Sequence, residues 1–316
     1  MKLHLDRDAF EAILLEIQEN TGTRADILEK DYYVTLILEE LSGKQAELQA
    51  YFKGGTALYK ALGSVRRFSE DIDLTVSIAD CSKTKAGKRL RSASKEYVVL
   101  PRLAEEDVDK KGGITSVYIY DSVVSVDKQD LLQRFERVKV EATSFTVSEP
   151  VTPMVISAII YKLASPDRKR ILSDEFEVKP FTILTQKLER IFVDKIFASE
   201  FYFERKLYFD VAKHVYDIVI LLQNEVILDL IRDKAVFQQM VGYKRKEERE
   251  RLGGVLEEMM MRKFAYLSEL EEDMEFAKSF ELMQRTYVLD DKDQISFDSA
   301  ISSLKRVKEI LTVFNL

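Results

Sequence analysis

Residues 51–76 read YFKGGTALYKALGSVRRFSEDIDLTV. This pattern predicts a strand, a glycine turn, a short helix, a basic loop and a second strand. The second strand opens on Asp71 and Asp73, two residues apart. Side chains alternate along a strand, so Asp71, Asp73 and Thr75 share one face while Ile72, Leu74 and Val76 share the other. The apolar set can enter a core. The acidic set brings two like charges together, and adjacent carboxylates repel unless a proton or a cation lies between them. Upstream, Gly54 and Gly55 allow positive φ and close approach of the backbone to a ligand. Thr56 is placed to cap the helix that follows. The free N–H groups and dipole at that helix start favour an anion.

The plainer reading of Asp71 and Asp73 is a solvated edge strand. Aspartate is depleted in strands, and two on one face argue instead for a cation site. A cation site facing a phosphate cradle is the equipment that chemistry on a nucleoside triphosphate requires. The rest of the composition narrows the cation. The chain has 316 residues, a net charge of −7, one cysteine and two histidines. Cys81 alone excludes an internal disulfide and a cysteine-rich metal site. With only His4 and His214, a histidine-rich zinc site is not expected. A metal here would be a hard ion held by oxygen, Mg²⁺ or Mn²⁺. The net negative charge argues against a general nucleic-acid coat protein and leaves room for a local basic groove. The acidic, amphipathic start MKLHLDRDAFEAI does not read as a signal peptide, and no run of about 18 apolar residues appears. A cytoplasmic location without membrane contact is expected.

The neighbouring segments read as a mixed domain. Helices are expected over 6–19 and 26–41, with Glu29, Lys30 and Asp31 in the solvated first turns of the second. The strand before the glycine turn spans 49–53. KTKAGKRLRSASK (83–95) holds six basic residues and no acidic one. It reads as a solvated loop or helix, or as an arm contacting the phosphates of a nucleic acid. A strand is expected over 114–122. Another runs from Arg137 to Phe145, with Val138, Val140 and Ala142 on one face and Arg137, Lys139, Glu141 and Thr143 on the other. Prolines 150, 153, 166 and 180 then punctuate a polar stretch.

From Thr182 onward the pattern becomes helical. Leu184, Leu188 and Ile191 form a stripe that continues to Lys195, where a leucine would be expected. A buried ammonium is unfavourable without a partner. On the next helix Asp210, His214 and Asp217 run along one side, and a Lys195–Asp217 salt bridge is the structural explanation of that spacing. The methionines of LEEMMMRKFAYL read as packing, KRKEERER (244–251) as a solvated helix, and a last helix starts at Ser296 or Asp298.

GGTAL followed by RFSEDIDL resembles the first motif of the AbiEii toxin family, within the DNA polymerase β-like nucleotidyltransferase superfamily. EKDYYVTLILEEL resembles the family's N-terminal region, and Lys195 with Tyr216-Asp217 matches its helical lysine and downstream Tyr-Asp. The resemblance implies an α+β fold: a nucleotidyltransferase-like mixed sheet flanked by helices over 1–165, then a helical domain over 166–316 that completes the active site. It implies metal-dependent transfer of NMP from an NTP to an RNA acceptor, in particular the 3′ end of tRNA, by a toxin with a cognate antitoxin. Asp71 and Asp73 would bind Mg²⁺ or Mn²⁺. Superfamily members often add a third carboxylate on a neighbouring strand, for which Glu141 is the candidate beside the reading of an ordinary outward glutamate. Gly54, Gly55, Thr56, Arg67 and Ser69 would contact the nucleotide, Lys195 its phosphates, and Asp217 would hold and orient it. Transfer to a protein hydroxyl, or a non-catalytic nucleotide- or partner-binding module, are the alternatives.

Overall fold

The two aspartates fall on a central strand, not an edge. A computed structural model describes residues 1–62, 66–69, 71–79, 81–126, 134–144, 148–252 and 264–315. The methionine cluster at 259–261 lies outside them. Two helices, α1 (Arg7–Thr21) and α2 (Ala25–Leu48), precede β1 (Ala50–Lys53), α3 (Gly54–Leu62) and β2 (Ile72–Val76). Then come α4 (Lys83–Lys95), β3 (Val108–Lys110), β4 (Gly113–Ile119), β5 (Arg137–Thr143) and β6 (Val151–Ile156). Two short helices, α5 (Ile159–Leu163) and α6 (Pro166–Asp174), lead to β7 (Phe181–Gln186).

The seven strands form one mixed sheet in the order β3-β4-β5-β2-β1-β7-β6. β2 runs antiparallel to β1 and parallel to β5, so both of its edges are paired. Its Ile72, Leu74 and Val76 are fully buried, as are Val138, Val140 and Ala142 of β5. Each such side chain contributes roughly 1.5–3 kcal/mol by leaving water. α4 closes this apolar face: its Ser94 donates to Ser116 Oγ at 3.0 Å, and Ser116 is the cross-strand partner of Val140. The segment 83–95 is therefore a helix, capped by Ser82, and not a loop. Pro153 lies within β6, where an edge strand tolerates its missing N–H.

Helix α2 corrects the expectation of a solvated start. Glu29, Lys30 and Asp31 are all buried. Asp31 takes Lys60 Nζ of α3 on Oδ1 at 2.6 Å and the Ile159 N–H on Oδ2 at 2.6 Å. Lys60 also donates to Thr35 Oγ1 at 2.8 Å and to the Ser157 carbonyl at 3.1 Å. Lys30 donates to the carbonyls of Arg134 and Arg137. Charged groups survive burial only when so satisfied. They anchor α2 to the sheet, to α3 and to the start of α5.

After β7 the described chain is helical: α7 (Leu188–Phe203), α8 (Tyr208–Leu221), α9 (Glu225–Leu230), α10 (Lys234–Leu252), α11 (Tyr266–Glu269), α12 (Met274–Tyr287) and α13 (Phe297–Phe314). Residues 181–186 are thus a strand where a helix was expected. Thr182, Ile183 and Thr185 are β-branched and fit a pleated surface, and Phe52 pairs with Thr185. Ser296 caps α13 by accepting from the Ser299 N–H at 3.2 Å. The expectation of a solvated helix over 244–251 also fails in part. Glu247 is buried and accepts from Arg190 at 2.7 Å and Lys244 at 2.6 Å. No helix among the described residues is long and apolar enough to cross a membrane.

The chain forms two compact units, Met1–Ser64 with Ser69–Thr185, and Val65–Phe68 with Gln186–Leu316. Residues 66–68 join the helical unit through backbone bonds: Phe68 N–H to the Tyr287 carbonyl at 2.7 Å and Leu289 N–H to the Arg66 carbonyl at 3.2 Å.

Glu29 generates a pH-dependent expectation. It accepts from the Val123 N–H at 2.8 Å and from Ser122 Oγ, and burial pushes its carboxyl up to about 7. A raised acid favours the folded state below its unfolded value of about 4.3 and loses that contribution as pH rises through 7. Between pH 5 and 8, wild-type protein should lose about 1–3 kcal/mol relative to Glu29→Gln in urea melts. Parallel pH profiles for the two proteins would refute this.

Candidate functional site

In the sheet unit, three carboxylates meet across two strands. Asp73 is paired with Glu141 of β5 on one side and with Lys53 of β1 on the other. Directly paired residues share a face, so Lys53, Asp73 and Glu141 form a row. Asp71 immediately precedes β2. All four residues are half-buried. The Glu141 carboxyl is pushed up, first by burial and then by the charges of Asp73 and Asp71, while Lys53 and Lys139 oppose the rise. Glu141 thus stands level with Asp73 on one face of the sheet.

The glycine turn touches this row. Gly54 has φ +82°, and a Cβ built there would lie 2.2 Å from Asp73 Oδ2. No side chain fits, for reasons of both conformation and space. Gly55 is buried in the first turn of α3. Thr56 does not cap that helix, being its third residue. Its Oγ1 donates to the Asp71 carbonyl at 2.6 Å and lies 3.0 Å from Ser69 Oγ. The hydroxyl thus fixes the chain just ahead of the aspartates. The sequence suggested Thr56 and Ser69 as ligand contacts; the structure gives them this bracing geometry.

An all-oxygen donor set of this kind suits a hard divalent cation. Among the described residues no three His, Cys, Asp or Glu side chains are already drawn in around one metal-sized point. Asp73 and Glu141 make no ion pair or hydrogen bond among those residues.

The helical unit holds the other expected residues. Asp217 of α8 is fully buried and receives a bidentate pair from Arg67: Nε to Oδ1 at 2.7 Å and Nη2 to Oδ2 at 2.7 Å. Lys195 of α7 stands 2.8 Å from Oδ2. The salt bridge suggested by spacing is present, with Arg67 as an unforeseen third member. Burial alone would raise the Asp217 carboxyl, but Arg67 and then Lys195 hold it well below the usual carboxylate range. Two cations on one carboxylate leave the cluster positive. His214, one turn earlier, stacks on Tyr202 at 5.3 Å. Its Nδ1 is buried with no hydrogen-bond partner among the described residues. Burial, then the Lys195 charge, drives the imidazole well below its ordinary pKa, so it is neutral. Tyr216 donates to the Asp293 carbonyl at 2.7 Å. Asp210 pairs with Lys213 and stands apart from this cluster.

A family model described as "Nucleotidyl transferase AbiEii toxin, Type IV TA system" matches residues 36–307. That span contains every residue of both clusters. No curated protein matches the chain.

Asp217→Asn would remove the carboxylate that the buried Arg67 and Lys195 share. Breaking such a cluster costs about 3–5 kcal/mol, measurable by guanidinium unfolding near neutral pH. Because the native carboxyl is depressed, its contribution is present above about pH 4 and is lost as pH falls below that. The gap between wild type and variant should therefore narrow in acid. A gap that widens there would contradict the assignment.

Proposed function

The chain belongs to the AbiEii nucleotidyl transferase toxin family of type IV toxin–antitoxin systems, and on that premise we propose metal-dependent transfer of NMP from an NTP to RNA. The 3′ end of tRNA is the acceptor to test first, and the family's setting supplies a cognate antitoxin as partner. One observation carries the reading. Asp73 is in register with Glu141 and packed against the backbone of Gly54, which joins an acidic row to a turn with free N–H groups. This supports the reading of a cation site beside a phosphate site.

Asp71, Asp73 and Glu141 would hold the cation, Mg²⁺ or Mn²⁺. Bound there, it supplies charge neutralisation to the triphosphate and to the leaving pyrophosphate. Gly54 and Gly55 turn backbone N–H groups toward the β- and γ-phosphates at the start of α3. Thr56 and Ser69 keep the loop ahead of Asp71 in place. We assign Lys195 to the donor's phosphates as a point charge, with Asp217 orienting it and sharing it with Arg67. The bond from acceptor oxygen to Pα forms as the bond from Pα to pyrophosphate breaks. Positioning and charge stabilisation suffice, so no covalent enzyme nucleophile is required.

Purified protein should label RNA when given an α-labelled NTP, Mg²⁺ and total RNA, and Asp73→Asn should abolish the label. Label entering cell protein would move the acceptor to a protein hydroxyl. Label in neither, with no metal-dependent NTP binding, would refute transfer altogether and leave a binding module.

Lys195→Ala tests the second cluster. NTP use should fall by more than about tenfold, equivalent to roughly 1.4 kcal/mol per decade, while circular dichroism shows a retained fold. An unfolded variant would assign Lys195 to structure alone.

A further inference from the structure

Two lysines on the carboxylate face have no part in the assignments above. Lys53 ends β1, directly across from Asp73. Lys139 lies two residues before Glu141 on β5, on the same face. Both are half-buried. Among the described residues neither makes an ion pair or hydrogen bond through its side chain. This sets them apart from the buried lysines. Lys30 has two carbonyls, Lys60 has Asp31, and Lys195 has Asp217.

Lys53 has the more particular position. It precedes Gly54 in the chain and neighbours Asp73 in the register. Cβ atoms of directly opposed residues stand about 4.5–5.5 Å apart, and a lysine stem reaches beyond that. A donor whose β- and γ-phosphates rest on the glycine turn, with a cation on the aspartates, must place its α-phosphorus where those two elements join. Lys53 is the residue at that join. Lys139 is level with Asp71 but stands on β5, with β2 between it and the strand that carries the turn.

Resting on the nucleotidyl-transfer reading, we propose that Lys53 is a further catalytic residue whose ammonium contacts a non-bridging oxygen of the transferring α-phosphoryl group. When the acceptor oxygen attacks, the electron pair of the breaking bond leaves with pyrophosphate and the acceptor's proton passes to solvent. Lys53 forms no covalent bond and keeps its protons. Its charge offsets what accumulates on the phosphoryl oxygens. This role is the same whether the acceptor is RNA or a protein hydroxyl.

The test compares wild type, Lys53→Met, Lys53→Arg and Lys139→Met in NMP transfer at saturating NTP and Mn²⁺, with Mn²⁺ binding followed by electron paramagnetic resonance. Lys53→Met should lower kcat by about tenfold to a hundredfold, the scale of one lost electrostatic contact to a transition state. KM for NTP should change by less than about threefold, and Mn²⁺ should bind as well or more tightly, since a nearby positive charge is gone. Lys53→Arg should restore part of kcat. Lys139→Met should stay within about threefold of wild type. The assignment falls if Lys53→Met keeps its kcat, if Lys139→Met loses as much, or if Lys53→Met no longer binds Mn²⁺, which would mark a structural role. Wild type that transfers nothing to either acceptor removes the transfer reading itself, and this assignment with it.

Discussion

Asp73 lies against the Gly54 backbone with no room for a Cβ between them. This contact constrains the sheet unit more than any other. It requires the left-handed turn after β1, because only glycine takes that conformation without cost and leaves the space. It also requires the antiparallel register that sets Lys53 opposite Asp73. A slip of one residue would send Asp73 to the apolar face and Leu74 to the polar one. The parallel pairing with β5 then brings Glu141 alongside, and Thr56 ties α3 to the Asp71 carbonyl. Turn, helix start and acidic row therefore stand or fall together.

Elsewhere the protein gives its buried charges partners. Asp31 with Lys60, Lys30 with two carbonyls, Glu29 with Ser122 and Val123, and Arg190 with Glu247 are each satisfied within one unit. An unpaired buried charge costs several kcal/mol, so such matching is expected. Asp73, Glu141, Lys53 and Lys139 depart from the pattern, half-buried on one face and unpaired among the described residues. The Arg67–Lys195–Asp217 cluster differs again, since its members are paired and its charges do not cancel.

What could be read from the chain was local. Period-two alternation gave β2 and β5 and the face of Glu141. Glycines marked the turn, and Ser296 marked the start of α13. These signals depend on neighbours within one element. Burial of Glu29, Lys30 and Asp31 was not readable, because α2 is covered around much of its circumference and the partners of these residues come from as far apart as Lys60 and Ile159. Residues 181–186 were misread because Leu184 continues a helical stripe by coincidence, while the pairing that makes them a strand lies back at Phe52. Arg67 was noted as basic, yet its bond to Asp217 spans a separation of 150 residues, which no spacing rule reaches. Glu247 looked solvated for the same reason: its partner Arg190 is on another helix.

The acidic row is held by the sheet and not by its own charges. Two carboxylates about 5 Å apart repel by several kcal/mol at an effective dielectric near 20. The Glu141 carboxyl is raised first by burial and then by the charges of Asp73 and Asp71, moderated by Lys53 and then Lys139. A sheet paired on both edges of β2 resists the relaxation that would separate the charges. Lysine suits the flank because its ammonium is a mobile point charge. It offsets part of the charge of the row. An arginine fork would lock onto a carboxylate in the bidentate manner that Arg67 shows with Asp217. Arg67 thus holds the Asp217 carboxylate through both of its oxygens.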